Sequence, residues 1–231
     1  MGSYLNPGNK GFQESLNSEI YVDKTGLIEK TNAVLDTRQK FLCVSRPRRF
    51  GKSMAADMLA AYYERGEDAD LLFRSLKISK AESYRAHLNQ YDVIKVNIQE
   101  FLSMTHDMDD MLAMLQKYLM FDLVEHFGDI RFRDENNLIQ VMKDIYAKTK
   151  RSFVILIDEW DCLFREYQQK PESGSAALMR SKMSGQVPEH QIDQYAEAVA
   201  LDAFSAGFRA ACNIILPADA EKGAQDEKTG D

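Results

Sequence analysis

The stretch FLCVSRPRRFGKS, residues 41–53, constrains the fold of this chain more than any other stretch. It begins with four apolar residues of the kind that form a buried parallel strand. A basic loop follows, and Gly51, Lys52 and Ser53 then open a helical pattern. A strand, a loop, Gly-Lys-Ser and a helix, in that order, are typical of a phosphate-binding P-loop. The sequence therefore predicts an anion site where this helix begins.

The chemistry of such a loop assigns a role to each of these residues. Backbone N–H groups of the loop and of the first helical turn point into one concavity, which favours an anion. Lys52 is predicted to bind the β- and γ-phosphates of a nucleotide, and the Ser53 hydroxyl to ligate Mg²⁺. Arg46 stands where the pattern G-x-x-x-x-G-K-[ST] has its first glycine. Because a Gly-Lys-Ser match is short, the nucleotide interpretation needs a second element.

Residues 153–161, FVILIDEWD, supply that second element. An apolar run that ends in two carboxylates is typical of a Walker B strand, which carries its first carboxylate to the edge of the sheet beside the P-loop. Asp158 is predicted to hold the Mg²⁺ shell, and Glu159 to polarise a water for attack on the γ-phosphate. The alternative is an ordinary buried strand with a polar end.

Composition bounds the class of protein. With 231 residues and 45% hydrophobic content the chain can bury a substantial core. A net charge of -7 argues against a surface that wraps nucleic acid. The three cysteines and four histidines follow no metal-ligand spacing, and no apolar run approaches the ~18 residues of a membrane span. We expect a cytoplasmic protein with reduced cysteines, and neither nucleic acid nor membrane as a partner.

Three phrases together resemble the bacterial AAA-ATPase-like family, whose P-loop is written RPRRFGKS. They are YVDKTGLI at residues 21–28, SRPRRFGKS at residues 45–53 and the carboxylate phrase DEWD at residues 158–161. A phrase at residues 72–78, LFRSLKI, fits the family as well. The resemblance covers about residues 20–164; it makes Arg46 a shared deviation and implies ATP as the nucleotide. From the residues alone, Asp23 in the first phrase is predicted to cap a surface helix.

The expected fold is α/β, a P-loop NTPase-type three-layer sandwich with a mostly parallel sheet, plus a helical C-terminal segment. A second strand is predicted at residues 91–98, and helices at residues 54–65, 107–127 and 135–148. We divide the chain into an N-terminal loop, an ATPase-like domain, a linker, a helical segment and a disordered tail. Their ranges are 1–18, 19–167, 168–190, 191–216 and 217–231.

The resemblance ends near residue 164, before a further core strand that it implies between the P-loop strand and the Walker B strand. We therefore expect an incomplete sheet in a truncated or fused gene product, joined near residues 166–183, with a compact natural variant as the alternative. The two site-bearing strands would then pair directly, or the gap would be filled by another segment, by a second copy or by a partner protein.

The function predicted is ATP binding, and Mg²⁺-dependent hydrolysis of ATP is one possibility. The alternatives are a nucleotide-binding module that does not hydrolyse ATP and an inactive remnant. A phosphotransferase would need an arginine-rich lid after the second strand, where only Arg165 and Arg180 occur. The predicted catalytic residues are Glu159 and Lys52, and the predicted Mg²⁺ ligands are Ser53 and Asp158. The predicted nucleotide-binding residues are Arg48, Arg49, Phe50, Gly51, Lys52, Ser53 and Met54.

Overall fold

A computed structural model describes residues 3–44, 50–160 and 162. The chain divides into two compact units, Met1–Trp160 and Asp161–Asp231, and the described residues belong almost entirely to the first. The predicted linker, helical segment and tail lie outside the described residues, and so do Arg46, Arg48 and Arg49.

A parallel pair of strands forms the sheet of the first unit. β1, Asp92–Asn97, pairs with β2, Phe153–Asp158, in a register that runs from Asp92 opposite Phe153 to Asn97 opposite Asp158. Both strands are rich in β-branched and aliphatic residues, which favour a pleated, buried surface. The predicted strands at residues 91–98 and 153–157 are confirmed.

The N-terminal residues cover the outer edge of β1. Leu5 forms an antiparallel bridge to Ile94, and the N–H of Asn6 donates to the carbonyl of Val93 at 2.7 Å. The Asp122 carboxylate accepts the N–H of Leu5 at 3.2 Å. Paired in this way, the edge of β1 is protected from pairing with other chains.

Helices account for most of the remaining described residues. The helices are α1 Lys10–Leu16, α2 Gly26–Asn32, α3 Lys52–Tyr63, α4 Asp70–Phe73, a 3₁₀ helix Lys77–Lys80, α5 Tyr84–His87, α6 Ile98–Met104, α7 Met108–His126 and α8 Leu138–Thr149. The predicted helices at residues 54–65, 107–127 and 135–148 are confirmed as α3, α7 and α8. No helix in the described ranges is long and apolar enough to cross a membrane.

Two segments predicted as loops are helical. α1 lies inside the predicted N-terminal loop and buries Phe12. α6 replaces the loop expected after the second strand; it is capped by the Asn97 side chain and buries Phe101. In both cases a short helix is stabilised by the burial of an aromatic side chain, because tertiary packing outweighs weak local propensity.

The predicted P-loop strand at residues 41–44 is wrong for the described chain. These residues form no strand, and Phe41 and Leu42 are each 51% exposed. A strand needs a neighbouring edge that supplies hydrogen bonds. Within the described residues β2 pairs only with β1. Residues 41–44 therefore do not pair with β2, which was one of the two arrangements expected for an incomplete sheet. Cys43 is accordingly exposed.

The main hydrophobic core lies between α3, α1, α4 and one face of the sheet. Phe73 is fully buried, stacks on Phe12 at 4.8 Å between ring centroids and meets the edge of Tyr62 at 5.4 Å. The C-terminal half of α3 is buried from Met58 to Tyr63. α3 is therefore the central helix of the unit, and its packing fixes where its N-terminus lies.

A buried hydrogen-bond network ties α2 to the end of α3. Asn32 donates to the hydroxyl of Tyr62 at 3.1 Å and accepts from the hydroxyl of Tyr63 at 2.7 Å. The Thr31 hydroxyl lies 2.6 Å from the hydroxyl of Tyr63. Burial raises the pKa of Tyr63 above its ordinary value. These bonds satisfy hydroxyls that would otherwise be costly to bury.

A buried ion pair holds the amino ends of the two strands. Asp92 is fully buried, and its carboxylate accepts from Nε of Arg151 at 3.0 Å. The Arg151 guanidinium also lies over the ring of Phe127, 5.8 Å from its centroid. Since an unpaired charge would be strongly destabilising here, this pair fixes the start of the strands, at the end opposite the predicted site.

Glu64 directly follows α3 and is buried, and only one of its two carboxylate oxygens has a hydrogen-bond partner among the described residues. It is 2% exposed, and its Oε2 accepts the N–H of Gly8 at 2.6 Å. Within the described residues, Oε1 has no hydrogen-bond partner. Burial raises the pKa of Glu64; the Gly8 N–H opposes that shift and the nearby Glu67 adds to it. The charged form of Glu64 is therefore penalised in the folded state.

We expect Glu64 to give folding stability a dependence on pH that Glu64→Gln removes. Because the folded pKa is raised, the contribution of Glu64 is fully present below its ordinary pKa and is lost as pH rises through the folded pKa. The free energy of unfolding of Glu64→Gln should thus improve relative to wild type as pH rises above the ordinary pKa of glutamate. Urea unfolding at a series of pH values measures this, with the exposed Glu29→Gln as the control. Parallel pH profiles of wild type and Glu64→Gln would contradict the prediction.

Candidate functional site

The N-terminus of α3 carries the residues predicted to bind phosphate. Gly51 is its N-cap, in a left-handed conformation with φ 78° and ψ 37° that favours glycine. The first helical hydrogen bond runs from the N–H of Ala55 to the carbonyl of Gly51 at 3.0 Å. The amides of Lys52, Ser53 and Met54 precede this bond and belong to the first turn of the helix. Amides in this position are suited to donate hydrogen bonds to an anion.

Two contacts show that α3 runs antiparallel to the strands. At its C-terminal end, the N–H of Tyr91, just before β1, donates to the carbonyl of Tyr63 at 2.9 Å. Farther toward its N-terminus, Asp57 forms an ion pair with Lys95 in the middle of β1. The N-terminus of α3 therefore lies toward the carboxyl ends of β1 and β2.

Element lengths place that N-terminus level with the ends of the strands. Lys52 precedes Asp57 by about 7.5 Å of helix at a rise of about 1.5 Å per residue. Asn97 follows Lys95 by about 6.6 Å of strand at about 3.3 Å per residue. Measured from the Asp57–Lys95 ion pair, the start of the helix and the end of the strand lie at similar heights.

Asp158 lies on the face of the sheet that α3 covers. Val154 belongs to the core that contains Met58 and Leu59 of α3, and Leu156 packs against that core. Side chains alternate along a strand, so Asp158 shares the face of these two residues. It is 8% exposed. The carboxylate and the beginning of α3 therefore occupy the same edge and the same face of the sheet.

Glu159 turns the chain out of the strand. Its φ is 51°, a left-handed value for a residue other than glycine, and its N–H donates to Oδ1 of Asp158 at 2.9 Å. Non-glycine residues adopt this conformation infrequently and tend to do so at functional sites. The backbone of Glu159 is thus held at a bend where β2 ends, next to the Asp158 carboxylate.

Asn97 is a polar neighbour of Asp158 that the sequence analysis did not single out. The two residues are partners in the register, so they share one face of the sheet. The Asn97 side chain accepts the N–H of Gln99 at 2.9 Å and caps α6. The available signal was a polar residue near the carboxyl end of the predicted strand.

Lys24 is a second residue that the sequence analysis missed. Its Nζ donates to the carbonyl of Phe50 at 3.1 Å, immediately before Gly51. Asp23 was predicted to be the N-cap of α2, but the N-cap is Thr25. The Asp23 carboxylate instead accepts the N–H of Lys77 at 2.8 Å and the N–H of Thr25 at 2.9 Å. The VDKT phrase therefore links the phosphate loop to the 3₁₀ helix.

The pKa of Asp23 reflects this role. Burial by itself would raise it, but hydrogen bonds from the hydroxyl and N–H of Thr25 and from the N–H of Lys77 outweigh burial and lower it below its ordinary value. Donors that stabilise the charged form have this effect. The Asp23 carboxylate is thus favoured in its charged form, and it joins the backbone at Thr25 to the start of the 3₁₀ helix at Lys77.

The other predicted site residues divide into two groups. Phe50 and Met54 flank Gly51–Ser53 and have exposed side chains, and Ser53 is the second residue of α3. Arg48 and Arg49 fall in the undescribed residues 45–49. No group of three or more His, Cys, Asp or Glu residues within the described ranges could hold a metal ion.

Comparison with known proteins identifies the family. Residues 8–184 match the family described as Predicted AAA-ATPase, which is well over half of the chain. The match begins before residue 20 and extends beyond residue 164, into the stretch interpreted as a linker. No curated protein and no solved structure matches the chain. The chain therefore belongs to the predicted AAA-ATPase family.

Proposed function

We propose that this protein binds ATP together with Mg²⁺ at the edge of the sheet where α3 begins and β2 ends. One observation supports this above the others: α3 runs antiparallel to the strands, so that the Gly51–Ser53 turn and Asp158 share an edge and a face. Family membership supports nucleotide use in general. Ligands of parallel α/β sheets bind outside the carboxyl ends of the strands.

The residues at this edge fit the two ligands. Mg²⁺ bound with a nucleotide takes one or two protein oxygens and completes its octahedron with phosphate and water. Ser53 would provide a hydroxyl and Asp158 a carboxylate. Lys52 and the first amides of α3 would bind the phosphates, with Arg48, Arg49, Phe50 and Met54 flanking them. Bound Mg²⁺ would neutralise phosphate charge, and the protein's part is to position that charge.

Hydrolysis of ATP is a second candidate function, and Glu159 favours it. The residue directly follows the proposed metal ligand Asp158 and is held at a bend by the bond from its own N–H. A carboxylate one residue beyond the metal ligand is placed to orient a water. Binding without hydrolysis remains the alternative, and the two are separated by measuring phosphate release beside binding.

Removal of Mg²⁺ and substitution of Ser53 test the proposal. We expect EDTA to weaken ATP binding by wild-type protein about tenfold, because one charge-assisted contact contributes about 1.5 kcal/mol. Ser53→Ala should bind ATP about as weakly as wild type does in EDTA, and should respond little to EDTA itself. Calorimetric titration of the full chain measures both effects, and exposed Ser75→Ala is the control. Absence of ATP binding by wild-type protein would overturn the proposal.

A further inference from the structure

We propose that Lys24 is a positioning residue of the phosphate-binding turn, and that it acts through the carbonyl oxygen of Phe50. The inference rests on the proposed function, because it assigns a further residue to the same site. The observation behind it is the bond from Nζ of Lys24 to that carbonyl at 3.1 Å. Lys24 comes from a distant part of the sequence and reaches the turn through its side chain alone.

The Lys24 ammonium contacts two successive residues of the turn. Besides its bond to Phe50, it lies against the bare Cα of Gly51, where an added Cβ would be 3.2 Å from Nζ. Gly51 also has the left-handed φ of 78°. Position 51 is thus constrained by its backbone conformation and by the approach of the lysine.

The bond to Phe50 fixes the direction of the next amide. In a trans peptide the C=O and the following N–H lie in one plane and point in opposite directions. Holding the Phe50 carbonyl toward Lys24 therefore turns the N–H of Gly51 to the opposite side. That N–H opens the run of amides, continuing through Lys52 and Ser53, that we propose to bind phosphate.

The backbone on both sides of Lys24 is anchored. Asp23 accepts the N–H of Lys77 at 2.8 Å, and the Thr25 hydroxyl accepts the N–H of Ile78 at 3.1 Å. The Thr25 hydroxyl in turn donates to the Asp23 carboxylate at 2.6 Å. Since Thr25 and Ile78 are buried, these bonds hold the backbone at Lys24 in place. The side chain therefore extends to the turn from a fixed Cα position.

The charge of Lys24 favours a role in binding an anion over a role in stabilising helix α3. A cation beside the N-terminus of a helix opposes the helix dipole, so an ammonium next to Gly51 does not stabilise α3 by charge. The Phe50 carbonyl offsets part of that cost. A polyphosphate bound at the turn would attract this ammonium through space without contacting it. We therefore assign the position of Lys24 to nucleotide binding.

Two measurements on the full chain test the role: ATP affinity in the presence of Mg²⁺, and amide hydrogen exchange of residues 50–54 without nucleotide. Lys24→Met should raise the Kd for ATP about tenfold, as expected for one charge-assisted bond. It should also speed exchange in residues 50–54. Lys24→Arg, which keeps the charge and the donor, should restore most of both. Lys30→Met, at an exposed lysine of α2, should match wild type.

Each contrary outcome overturns a different statement. Wild-type affinity and exchange in Lys24→Met would overturn the role of Lys24 alone. Weaker ATP binding with unchanged exchange would mean that Lys24 contacts phosphate itself and does not position the turn. Faster exchange that spreads to Lys77–Lys80, with a lower Tm, would show a purely structural role. If wild-type protein binds no ATP, the proposed function falls and this role with it.

Discussion

Lys52→Ala is expected to weaken ATP binding by about 100-fold or more. Lys52 is the first residue of α3, at the edge that also carries Asp158. In the proposed site its ammonium contacts two phosphates, and two charge-assisted bonds of about 1.5 kcal/mol each amount to about 100-fold in affinity. Calorimetric titration with ATP and Mg²⁺ measures the effect.

The control for this substitution is Lys80→Ala, at an exposed lysine of the 3₁₀ helix. Both variants should keep the Tm of wild type, because neither side chain belongs to the core. Tight ATP binding by Lys52→Ala would contradict the assignment of the site to the start of α3. Loss of binding in both variants would point to a general charge effect.

Glu159→Gln is expected to lower ATP turnover about 100-fold while leaving ATP affinity nearly unchanged. General-base catalysis by a positioned side chain contributes about 10²–10⁴-fold in rate. The glutamine keeps the size of the side chain and loses its basicity. Single-turnover phosphate release, measured beside ATP titration, separates the two quantities.

Glu125→Gln, at an exposed glutamate of α7, is the matched control and should behave as wild type. Turnover by Glu159→Gln at the wild-type rate would exclude Glu159 as the base. Wild-type protein that binds ATP and releases no phosphate would support the non-hydrolysing alternative. In that case Glu159→Gln would show no further change.

Local pattern predicted the long elements of this protein. Helices α3, α7 and α8 have apolar residues at helical spacing, with Asp107 and Asn137 as caps for the latter two. β1 is rich in β-branched residues, and β2 is an apolar run that ends in Asp158. Such patterns record which face an element buries, so they can be recognised without the neighbours being known. The same logic placed Asp158 at the end of a strand.

The failures share one cause, which is that a neighbour decided the outcome. Residues 41–44 have the composition of a strand, but a strand forms only where an edge is available to pair with it. α1 and α6 are short helices held by the burial of Phe12 and Phe101. Asp23 has the composition of an N-cap but bonds to Lys77, 54 positions away.

The sequence by itself indicated the family, helix α3, strand β2 and the residues whose chemistry suits phosphate and Mg²⁺. It could do so because side-chain type and spacing are local properties. The tertiary structure alone decided that α3 runs antiparallel to the strands, which the Asp57–Lys95 ion pair and the Tyr63–Tyr91 bond establish. It also brought Asn97 beside Asp158 and Lys24 against Phe50. These contacts join residues far apart in the chain, and they arise only when the core around α3 has packed.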